Sequence, residues 1–282
     1  MANPLIDQAV KETKMMENPL LAGMFKLPGR IFPLPSKGMF YTAGKEISVD
    51  AKANNGEVHV RPMSAMAELK LKNPDLLYSG KGIDEVIREC VPDVLDPMAL
   101  SAIDVDALLV YLRVVTYGDV YELDIKHNCE NAGTHSYDVS LEQQIANTVF
   151  LDEDALSKMR LSKFHVAAAN REYEILLEPI RMHGLIQYYQ LGRKDPAEVR
   201  HEDYQDLIVS NLVHFIKSVD QLTDRRLIVE FLHVLTRPEL ELIQDAIANS
   251  MDFGIPLTRR VECQDCHAAF DAKIDINPTL FF

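Results

Sequence analysis

The sequence predicts an α+β protein in which small mixed β elements flank a block of helices and a pair of cysteine-bearing turns. Three observations predict it. Alternating apolar and polar runs recur at Glu57–Val60, Val120–Ile125, Tyr137–Leu141 and Tyr173–Leu177, the period of half-buried strands. Apolar residues spaced for one face of a helix run through Val105, Leu108, Leu109, Leu112 and Val115, and again between residues 179 and 250. Strand-like text then returns at Arg259–Glu262 and at residues 268–276, around Cys263-Gln264-Asp265-Cys266.

Taken in order, residues 1–26 form an amphipathic segment with Leu5, Ala9, Met15, Met16, Leu20, Leu21 and Met24, interrupted at Asn18-Pro19. It is expected to pack on its own domain or to order on a neighbouring subunit. From Leu27 to Pro62 proline and glycine punctuate the chain, and Glu46–Val49 and Glu57–Val60 read as strands of a small β region. Leu34–Tyr41 reads as a turn, with Gly38 free to adopt positive φ.

Helical periodicity begins near Ser64, pauses at Asn73-Pro74, resumes over Gly82–Cys90 and returns over Asp104–Thr116, giving three helices. Asp104 is a candidate cap, and Tyr117-Gly118-Asp119 ends the last of them before the strand Val120–Ile125. A loop over residues 126–136 leads to the strand at Tyr137–Leu141. Phe164–Ala168 and Tyr173–Leu177 pair about the turn Asn170-Arg171. Pro179–Leu191, Tyr204–Val219, Arg225–Leu235 and Pro238–Ser250 read as helices, the last with Thr236 as its start signal. The resulting map has segments 1–26, 27–141, 142–256 and 257–282, and no internal repeat.

A chain of 282 residues accommodates one elaborated domain or two smaller ones. With 47% hydrophobic and 26% charged residues it is a folded rather than a disordered chain. A net charge of -14 sets the protein's field against nucleic acid, so no direct nucleic-acid partner is expected. No apolar run approaches the roughly 20 residues of a membrane helix, so no membrane partner and synthesis in the cytoplasm are expected.

The sharpest local signal is the Cys-x2-Cys turn at Cys263 and Cys266, which sets two thiolates on one side of a knuckle as tetrahedral zinc requires. The other half of a site is best supplied by His127-Asn128-Cys129 and His135, which also lie at a turn beside a strand. The expected ligands are Cys129, Cys263 and Cys266 with His135 or, alternatively, His127, making a zinc-ribbon-like pair of turns around a structural zinc. The competing readings are a pair of surface thiols or a redox motif, but redox Cys-x2-Cys pairs belong near a βαβ unit. Cys90, on an apolar helical face, reads as a buried core thiol.

No phosphate loop, metalloprotease helix or nucleophile elbow is present, and His165, His183, His214 and His233 are dispersed. Asp152-Glu153-Asp154 and the pair Glu239 and Glu241 sit at predicted helix starts, where they complement the helix dipole. No catalytic residue and no enzymatic function are therefore expected. The terminal Phe281-Phe282 is expected to be anchored in its own domain or a neighbour.

Leu34-Pro35-Ser36-Lys37-Gly38 with Tyr41, Val60-Arg61-Pro62-Met63, Leu71-Lys72-Asn73-Pro74, Leu112-Arg113 and Thr116-Tyr117-Gly118 before a cysteine turn form an ordered succession. With the closing Cys-x2-Cys and Phe-Phe, it resembles the T-even-type phage baseplate family from about Leu34 onward. The resemblance implies a virion protein of a myovirus contractile tail: a structural subunit of the baseplate hub, or an assembly chaperone absent from the finished particle. It implies several copies, and other baseplate and tail hub proteins as partners. It also implies paired Cys-x2-Cys turns, from which this chain departs, because Ala132 stands where a second cysteine would follow Cys129. A zinc-dependent nucleic-acid-binding or hydrolytic protein is the third reading, and lacks a basic footprint.

Overall fold

A computed structural model describes residues 29–126, 129, 133–191 and 208–282. The amphipathic segment 1–26, His127 and Ala132 lie outside the described residues, as does the start of the helix expected at Tyr204. Among the described residues no helix is long and apolar enough to cross a membrane. The described chain is α+β, with its strands in small antiparallel sheets and its apolar side chains in three buried clusters.

The first cluster begins with β1 (Arg30–Pro33) paired to β2 (Glu57–Val60), Phe32 opposite Val58. Between them, Glu46–Val49 is not a strand. Ile47 makes isolated bridges to Ala43 and Val94, and Ser48 caps the short helix α1 (Val49–Ala53), its side chain accepting from the Ala51 N–H. The alternation does not hold as a burial pattern, since Glu46 is buried beside Ile47 and Val49 is exposed, and a capping serine claims the backbone for a helix. Helices α2 (Ala65–Leu71), α3 (Pro74–Tyr78) and α4 (Lys81–Cys90) follow. The expected pause at Asn73-Pro74 is the start of α3: Asn73 accepts from the Asp75 and Leu76 N–H groups, and Pro74 occupies the first turn, where no donor is missed.

Helix α5 (Ala102–Tyr117) is buried almost all round, and each side serves a different cluster. Val105, Leu108 and Leu112 enter the first, Ile103 packs on the second, and Val110 and Val114 enter the third. Its cap is Ser101, whose side chain accepts from the Asp104 N–H, and not Asp104 as expected. Asp104 faces inward instead. Its Oδ1 accepts the Ser36 N–H at 2.9 Å, and its Oδ2 accepts the Ser101 hydroxyl at 3.0 Å and the Tyr41 hydroxyl. The Tyr41 oxygen in turn accepts the Ser101 N–H at 2.9 Å. Phe32 stacks on Tyr111 with ring centroids 4.3 Å apart.

The second cluster lies under a three-stranded sheet of β5 (Arg160–Val166), β6 (Arg171–Leu177) and β7 (Ile216–Val219). Strand β7 occupies the end of the helix expected over Tyr204–Val219. Ile216 and Val219 bury their side chains under the sheet while the backbone pairs with Leu177 and Ile175, so tertiary pairing overrides a helical pattern. Helices α7 (Glu153–Lys158), α9 (Arg225–His233) and α10 (Arg237–Ser250) complete it, α10 starting in a capping box of Thr236 and Glu239. Helix α8 (Met182–Leu191) returns to the first cluster through Met182 and Leu185. The buried Glu178 joins the two clusters. It pairs with Arg181, whose guanidinium donates to the Ala99 carbonyl at 2.8 Å, and with Arg225, which donates to the Ile216 carbonyl at 2.8 Å.

The third cluster packs two hairpins on α5: β3 (Val120–Lys126) with β4 (Thr134–Ser140), and β8 (Thr258–Glu262) with β9 (Ala269–Lys273). α6 (Leu141–Ala146) leaves β4, and α11 (Pro278–Phe281) closes the chain. Phe281 is fully buried against Tyr121, ring centroids 5.0 Å apart, so the Phe-Phe end is anchored in its own chain.

Two predictions follow from α5. Asp104→Ala strands the Ser36 N–H and the Tyr41 hydroxyl, and chemical denaturation should report a loss on the order of 3 kcal/mol. Burial pushes the Asp106 carboxyl up to about 7, against the opposing pull of Lys273. A raised folded-state value means the folded chain holds a proton that the unfolded chain, titrating near 4, has released. The associated stability is present below about pH 4 and lost as pH rises through about 7. Asp106→Asn should accordingly raise the melting temperature at about pH 8 and leave it little changed at about pH 4.

Candidate metal centre

The two hairpins are set face to face. In β3–β4, Tyr121 stands opposite Val139 and Leu123 opposite Tyr137, and in β8–β9, Val261 stands opposite Phe270. Phe270 meets Tyr137 edge-on, ring centroids 6.4 Å apart, and the Tyr137 hydroxyl is buried there without a hydrogen-bond partner. This packing brings the hairpin tips to the same place. Cys129 lies past the end of β3, and Cys263 and Cys266 lie in the turn that leaves β8.

The turn is a tight knuckle. The Cys263 N–H donates to the Ala268 carbonyl at 3.0 Å, and the His267 N–H donates to the Cys263 carbonyl at 2.9 Å. Closing it requires His267 to take φ 58°, a left-handed conformation that costs a non-glycine residue energy. The Sγ atoms of Cys129, Cys263 and Cys266 all lie within 4.8 Å of one another. Three thiolates around tetrahedral zinc, with Zn–S bonds of about 2.3 Å, stand about 3.8 Å apart, so the donor set fits the metal with small side-chain adjustments.

A second contact locks the tips. The Asp265 carboxylate, inside the knuckle, accepts the Gly133 N–H at 3.1 Å and meets the His135 Nε2 at 2.7 Å. These contacts, His135 foremost, hold the Asp265 carboxyl below the usual carboxylate range. Thus the structure gathers three of the four side chains expected as ligands, and sets the Nε2 of the fourth, His135, on Asp265. Among the described residues the thiolate group contains no further His, Cys, Asp or Glu. Asp265 was missed in the sequence; the signal was an acidic residue inside a cysteine turn, with a histidine already implicated elsewhere. Cys90 is buried in α4, and burial pushes its thiol up to about 12, as suits an inert core thiol.

The sequence model of the family described as T4 bacteriophage base plate protein matches residues 45–281, a span that includes most of the first cluster, all three cysteines of the centre and Phe281. The chain belongs to that family. No curated protein and no solved structure matches it. As a T4-type base plate protein it has a structural role in the phage baseplate, a place in the virion tail, and other baseplate and tail proteins as partners.

Replacing His267 by glycine should relieve the left-handed strain at the knuckle. Its exposed contact to Glu262 contributes little, so the melting temperature should rise, by the equivalent of about 1 kcal/mol.

Proposed function

We propose that the chain is a hub or hub-proximal subunit of a contractile myovirus tail baseplate, whose paired hairpins are stapled by a structural zinc. The observation that carries the staple is the convergence of Cys129, Cys263 and Cys266 from hairpins far apart in the chain. Zinc would be held by these three thiolates, with His135 or His127 as the expected fourth ligand. It would supply a cross-link and no chemistry. The two-stranded hairpins gain most from it, because an isolated hairpin is marginal and here only one face of each is packed. The folded body then offers rigid surfaces to neighbouring subunits, in several copies per baseplate.

Elemental analysis of the natively purified protein should find about one zinc per chain. Cys266→Ser should lose it and lower the melting temperature by several degrees, since metal binding contributes directly to folding free energy. An unchanged melting temperature with metal absent from the native protein would discard the staple. Mass spectrometry of purified virions should find the chain at stoichiometric abundance, and its absence would make it an assembly factor instead.

A further inference from the structure

The cysteine knuckle does not need the Asp265 side chain for its own closure, which the backbone bonds among Cys263, His267 and Ala268 provide. The carboxylate reaches across to the other hairpin instead, where its Oδ2 meets both the Gly133 N–H at 3.1 Å and the His135 Nε2 at 2.7 Å. Strand parity explains the meeting. His135 stands opposite Ile125 and two residues from Tyr137, so it shares the face that Tyr137 turns to Phe270. Gly133 leaves room for the approach, since a Cβ there would stand 3.2 Å from the His135 Nε2 and 3.5 Å from the Asp265 Oδ2.

This contact tells against His135 as a zinc ligand. An ionised carboxylate only accepts, so the Nε2 that faces it carries a proton, and a protonated ring nitrogen has no lone pair to give a metal. Nor does Nδ1 join the thiolates: the group of donor atoms within 4.8 Å of one another holds Cys129, Cys263 and Cys266 and neither nitrogen of His135. What the contact achieves is geometric. Asp265 lies between Cys263 and Cys266 in the chain, and Gly133 and His135 lie shortly past Cys129. One carboxylate therefore ties the hairpin that brings two thiolates to the hairpin that brings the third.

We infer that Asp265 and His135 are a positioning pair, which holds the Cys129 side of the centre against the Cys263–Cys266 turn so that three thiolates are gathered before a metal arrives, and that His135 is not the fourth ligand. The metal-binding part of this inference rests on the proposed zinc staple. Groups that act from outside the donor set change metal affinity without changing the ligands. The test is zinc affinity of the full chain, read by competition with a chelating dye, together with the absorption spectrum of the chain loaded with cobalt(II). Asp265→Ala and His135→Ala should each bind zinc about tenfold more weakly, still at about one per chain, with the cobalt bands unmoved. His135→Gln, whose amide also donates to Asp265, should restore most of the affinity. A shift of the cobalt bands in His135→Gln makes His135 a ligand and overturns the inference, as does an unchanged zinc affinity in Asp265→Ala. If the parent chain takes up neither metal, the zinc staple falls, and hydrogen exchange decides for the pair alone. Faster exchange at Gly133 and along β4 in Asp265→Ala upholds the tie between the hairpins, and unchanged exchange overturns it.

Discussion

The buried carboxylate of Asp104 sets the position of the helix on which the three clusters of this protein depend. Its two oxygens take donors from the Ser36 backbone, the Tyr41 hydroxyl and the Ser101 hydroxyl, so one side chain binds the N-terminal turn to the first turn of α5. Burying that carboxylate costs solvation, which the three donors offset. The turn can deliver them only because of its local backbone. Gly38 sits at φ 67° with Gly56 packed behind it, and a Cβ on Gly56 would fall 2.6 Å from the Gly38 nitrogen. The glycine in the Pro35-Ser36-Lys37-Gly38 stretch is thus there for a close approach of two backbones, and the serine beside it is there for its N–H.

With α5 held, its other sides become walls. Each hairpin of the third cluster is too small to fold alone, and each has only one face to bury. Val110 and Val114 give that face a floor, and Phe281 closes it from the end of the chain. The floor orders the strand bases but does nothing for the tips. There the burden passes to a different kind of interaction: the Asp265 bridge to Gly133 and His135, and the three convergent thiolates. The same helix ends in Arg113 and Tyr117, the guanidinium carbon 4.5 Å from the ring centroid.

Much of this was legible in residue order. The capping box at Thr236 and Glu239, the α5 stripe, the hairpin strands and the cysteine turn each rest on interactions within a few residues, which a linear reading resolves. Pairing of Cys129 with Cys263 and Cys266 was also accessible, because zinc chemistry demands a second half and the chain offers few candidates. What failed depended on competition between local and distant partners. Ile216–Val219 carries helical spacing, yet becomes a strand because β6 presents an unpaired edge above a core that needs those side chains. Glu46–Val49 alternates like a strand, yet Ser48 turns the backbone into a helix.

By itself the sequence determined the fold class, the Thr236 helix start and the cysteine turns, since these follow from period and spacing, while the family rests on the resemblance carried by its ordered motifs. Only the tertiary structure decided that Asp104 would be a buried acceptor and not a cap, that His135 would meet Asp265, and that Arg113 would lack an acceptor. Each of those outcomes is a matter of which polar groups end up within about 3 Å of one another once the helices and hairpins have packed, and no local rule carries that information.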